Sequence, residues 1–271
     1  MTLFGEVYIA PKNEMHIASG SLYFESGKII TERGSDAGTL SFAKGTHWEK
    51  ADHDTHVDGF IRFYDASEFS FPLGHNNVFQ PIHVSDFSGS SHFDVAYHHQ
   101  GHGINQSEDT IVTVSDNYFW ELRNPKGKGF VMLSWNTFSN IHKLLERSPS
   151  PENALDLITI GGFDGEQWIP IESKLSENPL DGGSSSSLLS GLIKSKKTVD
   201  MMQVVRLVER LTDQKLVHLA DMNGKEIENH SPVKVTQMEI EIERLKVENQ
   251  VYQKTLKNLL NRLDALERKI H

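Results

Sequence analysis

Apolar residues in this chain recur with two different periods, and the change from one to the other divides the molecule. Toward the carboxy end, Val235, Met238, Ile242, Leu245, Asn249, Tyr252, Leu256, Leu259, Leu263, Leu266 and Ile270 follow one another at alternating steps of three and four. That spacing is the seam of a coiled coil, with Val235, Ile242, Asn249, Leu256, Leu263 and Ile270 at the a positions and the others at d. A helix with so narrow an apolar stripe cannot bury it alone, so the pattern predicts self-association through a stalk about 50 Å long. Ser231 and Pro232 mark its start, because serine caps free amides and proline at the first helical position has no amide to lose.

Ahead of the stalk the period is close to two. From 3 to about 48, apolar bursts (Val7 and Ile9, Met15 and Ile17, Leu22 and Phe24, Ile29 and Ile30, Leu40 and Phe42) are punctuated by Pro11-Lys12-Asn13, Ser19-Gly20, Ser26-Gly27 and Gly34-Ser35. Short strands with tight turns suit stacked rungs or a meander. A second region, 57–193, predicts strands at 60–64, 69–71, 82–84, 93–97, 110–114, 118–122, 130–135, 157–161 and 167–171, the spacing of a β-sandwich. The polar run 181–187 reads as a loop near its end or as a linker. From Thr198 the spacing of Met201, Val204, Val208 and Leu211 predicts a helix, and Asn223-Gly224 predicts a hairpin within 216–227. The expected architecture is therefore mainly β. It comprises a short-stranded β region (1–56), a β-sandwich (57–196), a small α/β collar of helix plus hairpin (197–232) and a parallel α-helical coiled coil (233–271).

The number of strands in the coil is set by conflicting cues. Leucine at a, as at Leu256 and Leu263, does not favour a dimer, whereas Asn249 at a is a device for fixing dimers and register. Glu241 can face Lys246 of a neighbouring chain, and Arg262 can face Glu267, which favours a parallel, in-register pairing. The segment Arg262-Leu263-Asp264-Ala265-Leu266-Glu267 resembles the short trimerisation motif of parallel three-stranded coiled coils. The resemblance implies that Arg262 lies over the seam and bonds Glu267 of the next chain. A homotrimer is expected, with a dimer as runner-up.

Composition narrows the partners. With 27 basic and 37 acidic residues the chain carries a formal charge of −10, which repels a phosphate backbone, so nucleic acid is not an expected partner. No apolar run approaches the ~20 residues of a membrane span. The stretch 1–12 lacks the basic start and apolar heart of a secretory leader, so either the protein stays inside or the leader is not in this stretch. The absence of cysteine excludes disulfides, thiol catalysis and thiolate metal sites.

The segment His56-Val57-Asp58-Gly59-Phe60-Ile61-Arg62, then Phe69-Ser70-Phe71-Pro72-Leu73-Gly74, then Phe79-Gln80-Pro81-Ile82-His83-Val84-Ser85, resembles a pattern in large surface-exposed and secreted proteins of the Bacteroidetes. The resemblance covers about the first 190 residues and implies a β-rich protein exported by the type IX system, acting in adhesion, gliding motility or surface filaments. Two features depart from that pattern: no leader is visible, and a coiled coil stands where a β-sandwich sorting domain is common. Physically, Phe69 and Phe71 share one strand face, Pro72 ends the hydrogen bonding and Gly74 is expected at the turn.

Fourteen histidines are the chain's one excess of polar chemistry. Asp52, His53, Asp54 and His56 lie close in sequence, as do His92, Asp94, His98, His99 and His102. Imidazole and carboxylate suit transition metals, but no helical zinc motif appears and 96–106 reads as a surface loop. His92, His98, His99 and His102 are therefore candidate ligand contacts or metal ligands, with no metal or other cofactor assigned. Gly161-Gly162-Phe163-Asp164-Gly165 precedes a strand rather than a phosphate-binding helix, and neither a nucleophile elbow nor a glycosidase carboxylate pair can be picked out. An enzyme is not expected. The leading expectation is a trimeric cell-surface or secreted protein whose heads meet a surface glycan, a protein ligand or other surface machinery. The alternatives are a structural fibre or spike of a phage or contractile particle, located in the virion or particle, and a glycan-cleaving fibre.

Overall fold

A computed structural model describes residues 1–65, 67–109, 111–145, 155–176, 186–201 and 204–210. The hairpin expected within 216–227 and the seam from Val235 to Ile270 lie outside the described residues. Those that are described belong to one compact unit, Met1–Ala220, and are mainly β.

The amino-terminal bursts form rungs. β1 (Thr2–Leu3), β2 (Val7–Ile9) and β3 (Glu14–Ile17) make the first, β4 (Ser21–Phe24), β5 (Ile29–Thr31) and β6 (Thr39–Phe42) the second, and β7 (His47–Glu49), β8 (Val57–Asp58) and β9 (Phe60–Tyr64) the third. Each strand pairs in parallel with its counterpart one rung on, so β1 meets β4, β2 meets β5 and β3 meets β6. The register stacks like on like: Leu3 opposite Phe24, and Ile17, Phe42 and Phe63 in one buried column. Stacking requires close backbone approach at the corners. A Cβ at Gly59, whose φ is +150°, would stand 1.8 Å from Thr31 Oγ1, the hydroxyl that accepts the Phe60 amide at 2.8 Å.

Antiparallel strands take over after the third rung. They are β10 (Phe69–Phe71), β11 (Leu73–His75), β12 (Val78–Phe79), β13 (Ile82–Gly89), β14 (His92–His98), β15 (Ile111–Val114), β16 (Phe119–Arg123), β17 (Gly127–Trp135), β18 (Ile158–Phe163), β19 (Trp168–Ile171), β20 (Ser173–Ser176), β21 (Gly191–Ser195), β22 (Val199–Asp200) and β23 (Val204–Arg210). A nine-stranded sheet runs β19-β18-β23-β16-β14-β9-β6-β3, with β15 also on β23; a six-stranded sheet runs β10-β13-β17-β21-β20, with β22 on β17. One core draws on both, including Val84, Val131 and Leu133 from the shorter and Val95, Trp120 and Leu207 from the longer. From Gly129 to Trp135, β17 alternates between buried and part-exposed positions, as a strand with one face on a core should.

The nine-stranded sheet passes through both expected boundaries, at 56/57 and 196/197, because β3 and β6 of the rungs and β23 all belong to it. Phe69 and Phe71 seal the junction: Phe69 packs on Phe42 and Phe63 of the rungs at ring separations of 5.0 and 4.1 Å, and Phe71 reaches Phe93 at 5.7 Å. Gly74 lies in β11 rather than at a turn, and its missing side chain makes room for His56, whose Cδ2 would stand 2.4 Å from a Cβ there.

Two expectations are corrected. The helix from Thr198 is instead β22 and β23 over its described part. Val205, Arg206, Leu207 and Val208 are all buried, so β23 is covered on both faces, and a continuous apolar run satisfies a helical spacing by accident. The surface loop expected over 96–106 begins only after His98, because Ala96, Tyr97 and His98 complete β14 and are buried.

Candidate functional site

Register places one set of polar side chains on the outer face of the nine-stranded sheet. Asp94 of β14 stands opposite Arg62 of β9 and Arg123 of β16, Ala96 opposite Glu121, and His98 opposite Phe119. Alternation along Phe119, Glu121 and Arg123 puts all three on that face.

The polar groups are tied to one another. Arg62 grips Asp94 through two bonds of 2.6 and 2.9 Å and reaches Glu14 at 3.1 Å, and its bonds to Asp94 raise its pKa. Glu121 accepts from His98 Nε2 at 2.9 Å and from Arg123 Nε at 3.0 Å. Burial pushes the Glu121 carboxyl up, but the bonds from His98 and Arg123 outweigh it and hold the group below its ordinary value, ionised at neutral pH. An ionised carboxylate cannot donate, so His98 carries the proton on Nε2. The His98 ring stacks on Phe119 at 4.5 Å, and the Arg123 guanidinium lies 3.6 Å from the Phe60 ring centre.

Against this face lies the turn after β5. Arg33 pairs with Asp58 at 2.5 Å and donates to the carbonyls of Gly74 and Tyr97 at 3.1 and 3.0 Å. Between that turn and the sheet is an open cleft of about 670 Å³, lined by Arg33, Ser35, His75, His98, Glu121 and Arg123, among others. A second of about 710 Å³ shares Ser35, Glu121 and Arg123 and extends to His102 and Asn124. Burial and the Arg33 charge lower the His75 pKa to about 4, so its ring is neutral above that pH. Planar polar side chains held by their own ion pairs, beside aromatic rings, suit a ligand rich in hydroxyls, which both donate and accept.

Of the four candidate histidines, His98 and His102 pack on the same ring, that of Phe119, at 4.5 and 5.1 Å, while His92 lies apart from them. His92 and His98 end the same strand, about 20 Å apart at 3.3 Å per residue. His92 packs on Tyr64 at 5.4 Å, and His99 uses its amide to bond His75 Nδ1 at 3.0 Å. His102 sits among Phe119, Phe163 and Trp168 at 4.9 to 5.3 Å. Of the four, His98 and His102 border the clefts. The group near Asp52 forms a local turn, in which Asp52 Oδ1 accepts from the amides of Asp54 and Thr55 at 2.9 and 3.0 Å. Among the described residues, no cluster of three or more His, Asp or Glu is arranged to hold a metal ion.

Sequence reasoning passed over Arg33, Glu121, Arg123 and Arg206. The alternation in Phe119-Trp120-Glu121-Leu122-Arg123 was the available signal for two of them. Arg33 and Arg206 had none, since a turn residue and a charge inside an apolar run gain meaning only from what folds over them.

No protein-family model matches the chain, and no curated protein or solved structure is significantly similar to it. Among the described residues no helix is long and apolar enough to cross a membrane.

Proposed function

We propose that this is a non-enzymatic adhesive protein, presented at a cell surface or secreted, whose β-rich heads bind a glycan through the outer-face clefts. The heads are multiplied by a homotrimeric coiled coil over 233–271. The observation that carries the ligand reading is the open cleft of about 670 Å³ between the Arg33 turn and the Glu121–Arg123 pair. Its polar groups are already oriented by one another, so little ordering entropy remains to be lost on binding. Glu121, held ionised, is unsuited to the proton-donating role of a glycosidase acid, which needs a raised pKa. Trimerisation turns a weak contact per head into avidity of about 10²-fold or more when several heads engage one polymer. The resemblance of 56–85 to Bacteroidetes surface proteins supports the same reading, with export by the type IX system and a role in adhesion or gliding.

The test is sedimentation of the full chain and of a version lacking 233–271, followed by retention of both on immobilised polysaccharides. A trimer that is retained, and a monomer that is not, is the expected result. A monomeric full chain would remove the basis for avidity, and Arg123→Ala leaving retention intact would remove the cleft. The parallel rungs favour a second reading, a fibre or spike component of a phage or contractile particle, for which rigid stacking is the useful property. Release of shortened sugar from those polysaccharides would replace both with a glycan-cleaving fibre.

A further inference from the structure

The two large sheets carry different chemistry on their outer faces. On the six-stranded sheet, register places Ser70 of β10, His83 of β13, Met132 of β17, Lys194 of β21 and Lys174 of β20 in one row, each directly opposite the next. Two like charges on adjacent strands end that row, an arrangement that repulsion makes unfavourable. Nearby lysines have partners: Lys128 pairs with Asp200, and Lys196 and Lys197 both pair with Glu172. Among the described residues Lys174 and Lys194 make no ion pair. Lys174 is exposed, whereas Lys194 is half-buried and its Nζ lies 4.7 Å from the Phe130 ring centre, so cation–π attraction holds the amine along the sheet.

Beside that amine is a cleft with room for a ligand. It measures about 400 Å³, the size of a small-molecule site, and it opens to solvent. Pro81, Met132 and Leu192 give it apolar walls, and methionine is the adaptable one, since an unbranched thioether can reshape around an apolar guest. Glu68 stands at the other end, next to β10 and so about 14 Å from β21 across three strand spacings, with a largely exposed carboxylate 3.4 Å from His83 Nε2. Burial lowers the His83 pKa, so this ring is neutral at neutral pH and adds no second cation. The cleft therefore has a direction: a cation at one end, an apolar middle and a carboxylate at the other.

We infer that this cleft binds a small monocarboxylic acid with an apolar body, its acid group on Lys194 and its body across Met132. Charge complementarity fixes the orientation: the acid group is drawn to Lys194 and Lys174 and repelled from Glu68, which lays the body along the apolar walls. A carboxylate placed there accepts a charge-assisted hydrogen bond from Lys194 and relieves the repulsion between the two lysines. A sugar, with hydroxyls on every side, would leave Pro81, Met132 and Leu192 unmatched, so this site differs in ligand class from the clefts of the nine-stranded sheet. It does not depend on any glycan being bound there.

Calorimetric titration of the full chain with naphthoate, and with its neutral counterpart naphthalenemethanol, tests the assignment. The acid should bind at least about tenfold more tightly than the alcohol, the worth of one hydrogen bond to a charged group. Lys194→Met keeps the length and apolar stem of the side chain; it should abolish that preference and leave the alcohol's affinity within about twofold. Equal affinities in the unaltered chain, a preference that survives in the variant, or no binding of the acid overturns the proposal. Should the variant fail to fold, methyl spectra of the unaltered protein decide: a Met132 methyl that shifts with naphthoate supports the cleft, and shifts that leave Met132 untouched overturn it.

Discussion

Two arginines on the long sheet have opposite fates. Arg62 lies at the open part of the outer face, gripped by Asp94 through two bonds, with side-chain exposures of 24% and 9% for the pair. Arg206, on β23, meets the Trp168 ring, the Ile104 carbonyl and Asn105 Oδ1, makes no ion pair among the described residues, and is buried. Pairing raises the pKa of the first, and burial lowers that of the second to about 9. A charge whose partner is built into the neighbouring strand can stay at a wet surface as ready-made binding chemistry. A charge without one is withdrawn from water, and an aromatic face and backbone oxygen replace part of what solvent supplied.

Replacing Trp168 by alanine tests the sealed side and should have the largest effect. It removes the ring beneath Arg206 and should cost about 3–5 kcal/mol in chemical denaturation. Exchange of the Glu108 amide, which bonds the Trp168 carbonyl, should speed up at the same time. Unchanged exchange at Glu108 would mean that the loop is held elsewhere.

Acidification comes next and separates buried rings from paired ones. Burial lowers the pKa of His56 and of His75 to about 4, and shifts His53, His83, His99 and His102 the same way. The unfolded chain therefore takes up protons first, near pH 6.5. Stability is complete above that value and falls as pH drops toward 4, by on the order of 3 kcal/mol for fully buried His56 alone. Urea midpoints measured at pH 7.5, 6 and 5 should decline in that order; a flat profile would show that these rings are solvated.

On the open side, Asp94→Ala should cost about 1–2 kcal/mol, less than a fully buried pair because Arg62 can turn to Glu14 and water. A double-mutant cycle with Arg62→Ala isolates the coupling, and a value near zero would deny that this pair differs from Arg206 in kind. Smallest of all, Lys12→Ala should change stability by less than about 0.5 kcal/mol, since both partners of the Lys12–Asp36 pair are largely exposed. A loss above 1 kcal/mol in the same urea titration would overturn that ranking of exposed against buried charge.

Much of the strand pattern was legible beforehand. The alternation of Leu22 with Phe24 and of Leu40 with Phe42 foretold short strands with one buried face, and all four side chains are buried. Phe69 and Phe71 were correctly assigned to one face, and that face joins rungs to antiparallel strands. The region from 199 to 210 misled because a strand buried on both sides loses its alternation, and Val204, Val205, Leu207 and Val208 then fit a helical stripe as well as a sheet. The histidine-rich segment was less legible: closeness along the chain does not tell that β14 carries His92 to the far end of the strand from His98, whereas His98 and His102 meet on the Phe119 ring.

Local order was therefore the sequence's own doing: where strands begin and turn, which face of each is apolar, and, in the 235–270 stripe, an expectation of self-association, all follow from spacings of a few residues. Which strands become neighbours was decided only in three dimensions. Arg33 meets Asp58, His98 meets Glu121 and Arg206 meets Ile104 across wide separations in sequence, because parallel rungs and antiparallel returns bring distant segments to hydrogen-bonding range. Pairing of that kind depends on the whole set of strands fitting at once, and no short window of residues contains it.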